Sequence, residues 1–485
     1  MPKRAASQSR RKPWTQIGHP ATIPAAPRQG QPRGEYHPPV RAELKALLLI
    51  AGPVILGEIG WMAMGLVDAM MVGPLGPAAI GATGMSSNLF MAVAIFGMGL
   101  MLGLDTLVSR ATGAGDRAGG IAWLGHALWL ALASALPLLA VAFGVFATIG
   151  RWHLHPDVLV LARPYLRTLL LGLPPLLIYA ACRRYLQGIH VVRPIMWALL
   201  TANLVNALGN WMLIYGHWGA PALGVTGSAW ATNIARVYLA GVLWLAIRRV
   251  HRRWGPDTPA VRLTVTRAQV LDLLRLGTPA ALQVTLEVGV FSVASALAGR
   301  LTPVALGSHQ ASLNIVSTAF MIPLGLASAA AVRVGHAHGA QDPRRTAQAG
   351  WAAFIAVTVV MLAIATVFAT AAAPLLRLFT RDAAVVAVGV QVLRLVAPFQ
   401  WFDGAQTVAT GVLRGLGDTR TPVVANVIAH WVIGLPLGYA LCFWWGWGIV
   451  GLWLGLYAGL TLVAIALMLV WMTRARVLVA EAARD

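Results

Sequence analysis

The chain has 485 residues, of which 58% are hydrophobic and 11% are charged, and its mean hydropathy is +0.71. A soluble globular protein carries roughly 25% charged residues, so this composition excludes a soluble fold. Between residues 44 and 474, apolar stretches recur that are long enough to cross roughly 30 Å of hydrocarbon. The sequence therefore predicts an all-α integral membrane protein.

Charge and motifs limit the classes of function. A net charge of +21 would favour a nucleic-acid partner in a soluble chain, but here basic residues cluster on alternate connections, for example at Arg248 with Arg249 and at Arg344 with Arg345. The positive-inside rule then predicts a multi-pass protein of the cell inner membrane with both termini in the cytoplasm, and no nucleic-acid partner. Lysine occurs only within the first 45 residues, so the phosphate-binding loop of ATPases is absent.

Twelve apolar runs predict twelve transmembrane helices. In chain order they span 44–73, 78–108, 119–149, 158–188, 191–217, 222–249, 269–299, 304–334, 345–378, 384–413, 420–445 and 448–473. The predicted domains are a disordered basic cytoplasmic tail (1–42), an N-lobe of helices 1–6 (43–250), a cytoplasmic linker (251–268), a C-lobe of helices 7–12 (269–474) and a cytoplasmic C-terminal tail (475–485). These segments leave no room for a soluble catalytic domain, so neither an enzyme nor a cofactor is expected.

An internal duplication relates the two sets of six helices. Ten residues of the first set recur 226 positions later in the second set: Pro53, Gly73, Leu75, Pro77, Ala79, Gly81, Asn88, Gly99, Val108 and Asp116. Because six is an even number, both sets enter the membrane from the same side and form parallel repeats. The sequence thus predicts two pseudo-symmetric six-helix lobes with a central substrate cavity that is reached alternately from each face.

Five carboxylates lie inside predicted spans, whereas the other acids lie in connections, in tails or at helix ends. The five are Glu58, Asp68, Asp105, Glu287 and Asp403. An ionisable group in a span costs roughly 2.5–3.5 kcal/mol on insertion scales and is therefore a functional candidate. Asp105, which lies near the end of its helix and close to Arg110, is interpreted as structurally paired.

A candidate cation site lies in the N-lobe. Asn203, Asn206 and Asn210 recur at helical spacing in the fifth span and share one face of the helix. Beside Asp68, these amides would form an oxygen cage for a small hard cation such as Na⁺. The alternative is interhelical hydrogen bonding, which contributes about 0.6 kcal/mol per contact. Glu58, in the same helix as Asp68, is either a second coupling carboxylate or a packing group.

A second candidate site lies in the C-lobe, at Glu287 and Asp403. Gln283 precedes Glu287 by one helical turn, and the aromatic residues Phe399 and Trp401 precede Asp403. Aromatic faces near an anionic group can hold a flat organic cation by stacking and cation–π contact. Burial disfavours the charged form of a carboxyl group, so each carboxylate could exchange a proton for a cation.

Three separated motifs resemble the multidrug and toxic compound extrusion (MATE) family, and within it the NorM-like branch. They are Val67–Gly76, then Asn206 and Asn210 followed by Gly219–Gly224, and finally Asp403–Gln406 leading to Leu413–Asp418. The likeness covers residues 44 to 474. It implies a twelve-helix, two-lobed antiporter that exports cationic, amphipathic drugs in exchange for Na⁺ or H⁺.

The resemblance also assigns roles by position. Asp68, Asn206 and Asn210 are similar to the N-lobe cation site of the family. Glu287 and Asp403 are similar to the C-lobe carboxylates of the NorM-like branch.

Two further positions bear on the coupling ion. Asp382 resembles an additional acid of some relatives. Phe399 is a departure, because some relatives have a tyrosine there whose hydroxyl lies near the cation. The choice between H⁺ and Na⁺ therefore stays open at this point.

Two other classes of function are alternatives to efflux. A flippase for lipid-linked precursors would use a similar bundle, but it requires cationic groups facing the cavity to hold a pyrophosphate. An intramembrane enzyme requires clustered metal or nucleophile ligands such as H-E-x-x-H, which the sequence does not contain. The preferred interpretation is a monomeric transporter in the lipid bilayer with small organic cations as substrates, an H⁺ or Na⁺ coupling ion and no other metal.

Overall fold

The fold is entirely helical over the residues that the computed structural model describes, which are 40–151, 155–263 and 265–483. Eleven helical segments are long and apolar enough to cross a membrane, and counting a pair bent by 45° as one span gives twelve. The predicted number of spans is therefore confirmed for this part of the chain. The predicted basic tail lies outside the described residues, apart from 40–42.

Eight helices form the first set, in which two spans are each built from two helices. They are α1 (Val40–Val72), α2 (Pro77–Leu100), α3 (Gly103–Gly113), α4 (Arg117–Thr148), α5 (Pro156–Leu170), α6 (Leu173–Gly188), α7 (Arg193–Tyr215) and α8 (Val225–Trp254). Helices α2 and α3 make the second span, and the bent pair α5 and α6 makes the fourth.

Nine helices form the second set, with π-helical turns in the eleventh span at Val427–Gly434 and Ala440–Trp444. They are α9 (Arg267–Ala298), α10 (Pro303–Gly339), α11 (Pro343–Thr370), α12 (Ala372–Arg377), α13 (Ala383–Val396), α14 (Gln400–Gly415), α15 (Arg420–Asn426), α16 (Leu435–Tyr439) and α17 (Gly448–Glu481).

Several helices extend beyond the predicted bounds. Helix α1 begins at Val40, and α17 continues to Glu481, so helical structure extends into both predicted tails. The connection between α8 and α9 is 255–266 rather than the predicted 251–268. Hydropathy marks where a segment leaves the hydrocarbon, but arginine and glutamate are good helix formers and prolong the helix beyond that point.

Equivalent residues of the duplication begin equivalent helices. Asp116 precedes α4, and its side chain accepts a hydrogen bond from the backbone N–H of Gly119 at 2.8 Å. Asp342 precedes α11 and accepts from the backbone N–H of Arg345 at 2.9 Å. Each carboxylate satisfies an otherwise unpaired N–H of the first helical turn. The repeated aspartates are therefore helix caps.

The two sets pack through contacts that the duplication relates in pairs. A Cβ atom added at Gly99 would lie 2.5 Å from Cα of Ala281, and one added at Gly325 would lie 3.1 Å from Cα of Ile55. Gly325 is the repeat of Gly99, and Ala281 is the repeat of Ile55. Small residues allow this close approach of helix backbones in membranes. The interface is therefore pseudo-symmetric, with α2 on α9 and α1 on α10.

Buried ion pairs join the two sets at the end that carries the basic connections. Asp105 of α3 is completely buried and pairs with Arg184 of α6 at 3.3 Å and with Arg414 of α14 at 3.6 Å. Glu43 of α1 pairs with Arg333 and Arg345 of the second set. The expected pairing of Asp105 is thus present, but its partners come from α6 and α14 rather than from its own helix.

Candidate functional site

The first candidate site surrounds Asp68 on α1. Its carboxylate accepts hydrogen bonds from Nδ2 of Asn210 at 2.6 Å and from Oγ1 of Thr232 at 3.0 Å. Nδ2 of Asn210 also lies 3.3 Å from Oδ1 of Asn206. Both asparagines are completely buried. The structure therefore brings together three predicted residues and adds Thr232 of α8, which the sequence analysis missed.

The polar groups of this site are not all satisfied. Oδ1 of Asn210 is buried and has no hydrogen-bond partner among the described residues. An unpaired buried oxygen beside a carboxylate is an available ligand for a hard cation, and an unpaired amide is costly to bury. The carboxylate of Asp68 and the free oxygen of Asn210 thus fit a small cation, whereas Oδ1 of Asn206 already accepts from Asn210.

Asn203 does not reach this site. Its Nδ2 donates to the carbonyl oxygens of Gly60 and Leu199, both at 2.9 Å. Asn203 lies two turns from Asn210 on α7 and therefore meets α1 at a different level from Asp68. The expectation that three amides form one cage is corrected to two.

Glu58 is occupied by an ion pair. Its carboxylate accepts a hydrogen bond from Nη2 of Arg183 on α6, and both residues are buried. Glu58 is therefore a paired structural group in this conformation rather than a free ligand for a coupling ion. No spacing in the sequence connects Glu58 with Arg183, because the two residues lie on different helices.

We predict that Glu58→Gln destabilises the protein by about 3–5 kcal/mol, because it leaves the buried Arg183 guanidinium without its counter-charge. Thermal unfolding of the purified protein in detergent measures the effect. Glu58→Gln combined with Arg183→Met removes both charges and should recover much of the loss. Equal stability of Glu58→Gln and the unchanged protein would contradict the assignment.

Arg236 lies one helical turn after Thr232 on α8. Its guanidinium carbon lies 4.1 Å from the centroid of the Phe90 ring, and its Nη1 donates to the carbonyl oxygen of Leu169 at 3.3 Å. Arg236 and Asp68 attract each other electrostatically. The fold therefore places a cationic side chain beside the first candidate site.

The second candidate site surrounds Glu287 on α9. Its carboxylate accepts from Nε2 of Gln283 at 2.9 Å and from Nε2 of Gln406 on α14 at 3.2 Å. Asp403 lies on α14, one turn before Gln406, and it is almost completely buried. Asp403 and Glu287 are close enough to repel each other when both are ionised. Two like charges in one buried site favour the binding of a proton or a cation.

The aromatic side chains near Asp403 point in different directions and contact different helices. Nε1 of Trp401 donates to Oγ1 of Thr358 on α11 at 3.0 Å, so this indole is engaged away from the carboxylates. Phe399 packs on Tyr457 of α17 with ring centroids 5.6 Å apart. The predicted aromatic cradle of Phe399 and Trp401 is therefore only partly present.

Tyr457 supplies a phenol that the sequence analysis missed. Its hydroxyl oxygen lies 3.4 Å from Nε2 of Gln400, and the tyrosine interacts electrostatically with Asp403. Phe399 has no hydroxyl, but the ring that packs on it has one. No spacing signal connects Tyr457 with α14, because the two helices are distant in the sequence.

Asp382 lies apart from the two carboxylates. It is exposed at the start of α13, where its side chain accepts from the backbone N–H groups of Ala384 at 2.8 Å and Val385 at 3.2 Å. It is therefore a helix cap, and the expected role as an additional site acid is corrected. Over the described ranges, no group of three or more His, Cys, Asp or Glu side chains could hold a metal ion.

Comparisons with known proteins agree with the duplication. The MatE family profile matches twice, at residues 53–212 and 279–440, and the two matches begin 226 positions apart. The chain is 36% identical over 458 residues to a "Probable multidrug resistance protein NorM" of Mesorhizobium japonicum, covering 90% of this chain and 95% of that protein. It is 34% identical over 445 residues to "Multidrug resistance protein PmpM" of Pseudomonas aeruginosa, covering 88% and 91%.

Solved structures show the same fold at lower sequence identity. The crystal structure of "MATE in the bent conformation" superposes with a TM-score of 0.82 at 21% identity, covering 92% of this chain and 98% of that chain. The "eukaryotic MATE transporter AtDTX14" gives a TM-score of 0.79 at 23% identity, covering 90% and 98%. These likenesses confirm the predicted all-α fold of two six-helix lobes.

Proposed function

The chain belongs to the MATE family of transporters, and from that premise we propose that it is an antiporter that exports cationic, amphipathic compounds in exchange for H⁺ or Na⁺. One observation carries the proposal: each lobe holds carboxylates inside its spans that hydrogen-bond to amides and a hydroxyl rather than to arginine. Asp68 and Glu287 both have this environment. Such carboxylates can take a proton or a cation without first breaking an ion pair.

The C-lobe site binds the organic cation in this proposal. Glu287 and Asp403 supply two neighbouring negative charges, and Phe399 and Tyr457 supply flat apolar surface beside them. A cation neutralises the repulsion between the carboxylates, and so does a proton. A proton on the C-lobe carboxylates therefore opposes binding of the organic cation there, and an ion at Asp68 opposes it through the conformation of the lobes.

The N-lobe site binds the coupling ion. Asp68 offers a carboxylate, and Asn210 offers a buried amide oxygen without a partner. An ion that binds here from the outer face changes the charge next to Arg236 and biases the packing of α1, α7 and α8. Because α1 also packs on α10 of the other lobe, this change reaches the interface between the lobes.

The proposal also includes the orientation of the protein in the membrane and the division of the chain into lobes. We propose that the protein lies in the inner membrane of the cell. Both termini are then in the cytoplasm, since the basic connections lie at one end of the bundle. The N-lobe then comprises α1–α8, and the C-lobe comprises α9–α17. One chain carries both lobes, so the proposed working unit is a monomer.

A lipid-linked precursor flippase is the alternative. It needs free cationic groups between the lobes to hold a pyrophosphate. Arg184 and Arg414, which lie between the lobes, both pair with Asp105. Their positive charge is thus partly neutralised, which favours export of organic cations.

The test is ethidium transport in inverted membrane vesicles with a pH gradient or a Na⁺ gradient imposed separately. We expect uptake with one of the two gradients and its collapse when an ionophore dissipates that gradient, which also identifies the coupling ion. Asp382→Asn is the matched control, because this exposed helix cap should not affect transport. Absence of uptake of both ethidium and tetraphenylphosphonium would reject the antiporter and favour the flippase.

A further inference from the structure

A groove with two exposed arginines runs along the surface of the N-lobe, on α4, α5 and α8. Its volume is about 710 Å³. Phe143 and Phe146 of α4, Leu171 after α5 and Trp230 of α8 give it apolar walls, and Arg163 and Arg167 of α5 add two guanidinium groups. The groove is therefore amphipathic, with positive charge between apolar surfaces.

The groove faces away from the centre of the N-lobe. Arg163 and Arg167 are exposed and lie one turn apart on the same face of α5. Tyr165, on the opposite face, is buried and its hydroxyl lies 3.3 Å from Oγ of Ser87 on α2. The interface between the lobes is formed mainly by α1, α2 and α3 with α9 and α10. The groove therefore lies on the outer side of the N-lobe, away from the other lobe, where we expect the bilayer.

Neither guanidinium has a counter-charge among the residues that the structure describes. Within the described ranges, Arg163 and Arg167 make no hydrogen bond and no ion pair. They lie roughly 10 and 16 Å along α5 from its first residue, Pro156, at 1.5 Å per residue. An arginine at this depth is costly unless it meets an anion or reaches the interface. Helical side chains tilt toward the N-terminus, which for α5 is the end with few basic connections.

We propose that this groove is a binding site for an anionic phospholipid of the outer leaflet, whose phosphate lies against Arg163 and Arg167. The acyl chains lie along Phe143, Leu171 and Trp230. Long cationic side chains reach headgroup phosphates while their stems stay in apolar surroundings. A lipid fits better than free phosphate, because most of the wall is apolar and opens to the bilayer. Organic cations do not fit, because they carry the same charge as the site.

The corresponding helix of the C-lobe lacks this pair of arginines. Helix α13 begins 227 residues after α5, so Val390 and Arg394 correspond to Arg163 and Arg167. Helix α13 carries a single exposed arginine, Arg394. The paired guanidinium groups are therefore specific to the N-lobe and are not required by the shared fold.

Native mass spectrometry of the detergent-solubilised full chain, titrated with phosphatidylglycerol or phosphatidylcholine, tests the proposal. We expect the unchanged protein to bind one phosphatidylglycerol more tightly than phosphatidylcholine. Arg163→Gln with Arg167→Gln should weaken phosphatidylglycerol binding about 30-fold, because each basic residue near an anionic lipid contributes about 1 kcal/mol. Binding of phosphatidylcholine should not change.

Arg394→Gln is the matched control, since it removes one exposed arginine from the corresponding helix of the C-lobe and should leave lipid binding unchanged. Equal phosphatidylglycerol affinity of the double variant and the unchanged protein would overturn the proposal. So would displacement of the lipid by millimolar inorganic phosphate, which would indicate a simple anion site. Thermal unfolding without added lipid shows that the variants are folded. The measurement does not involve transport and stands independently of the proposed antiport.

Discussion

Asp68→Asn is expected to abolish gradient-driven ethidium transport, with a loss of at least about 100-fold, while ethidium still binds. Asparagine keeps the size of the side chain but cannot carry the negative charge that a proton or Na⁺ neutralises. The replacement also turns one carboxylate oxygen into an amide that faces the donor groups of Asn210 and Thr232. Transport in inverted vesicles and equilibrium binding of ethidium to the purified protein measure the two effects separately.

The matched control is Asp116→Asn, which replaces another N-lobe aspartate by the same residue. Asparagine is as good a helix cap as aspartate, so this variant should transport normally. Gradient-driven uptake by Asp68→Asn at the normal rate would show that the N-lobe carboxylate does not couple transport. Loss of both binding and transport would instead place Asp68 in the site for the organic cation.

The fold was largely predictable because hydropathy and duplication are properties of continuous segments. Apolar length determines a span, and the constant spacing between repeats such as Gly99 and Gly325 fixes how the lobes correspond. The close contacts of these two glycines with Ala281 and Ile55 then follow from pseudo-symmetry. Helix ends were less predictable, because they depend on helix propensity outside the membrane.

The candidate sites were predictable only where one helix carries several of the groups. Asn206 and Asn210 share a face of α7, and helical spacing alone predicts that they lie together. Asn203 fits the same pattern, but its level along α7 puts it against Gly60. Spacing within one helix determines which face of the helix a side chain occupies, whereas its partner on another helix determines its role.

Partners from distant helices explain the other errors. In the sequence Glu58 has no visible partner inside its span, whereas in the fold it pairs with Arg183. Thr232 and Tyr457 are ordinary residues of their own helices, and only packing places them near Asp68 and Asp403. An acid inside a span that has no visible partner in the sequence is therefore a candidate site residue. The fold then shows which of these candidates remain without a basic partner.

The C-lobe carboxylates should behave as one unit for the organic cation. We expect Asp403→Asn and Glu287→Gln each to weaken ethidium binding about tenfold or more, because each removes one of two negative charges from a buried site. The repulsion between the carboxylates favours cation binding, and either substitution alone already removes this repulsion. The double variant should therefore lose less than the sum of the single losses in binding free energy.

A double-mutant cycle of ethidium binding at fixed pH and salt measures this coupling. Asp382→Asn is again the control, since Asp382 caps α13 and is exposed. Strictly additive losses would show that the carboxylates bind the cation independently and would contradict a shared site. Together with Asp68→Asn, the cycle separates the two lobes: C-lobe substitutions should reduce binding of the organic cation, whereas the N-lobe substitution should reduce only the coupling of transport to the ion gradient.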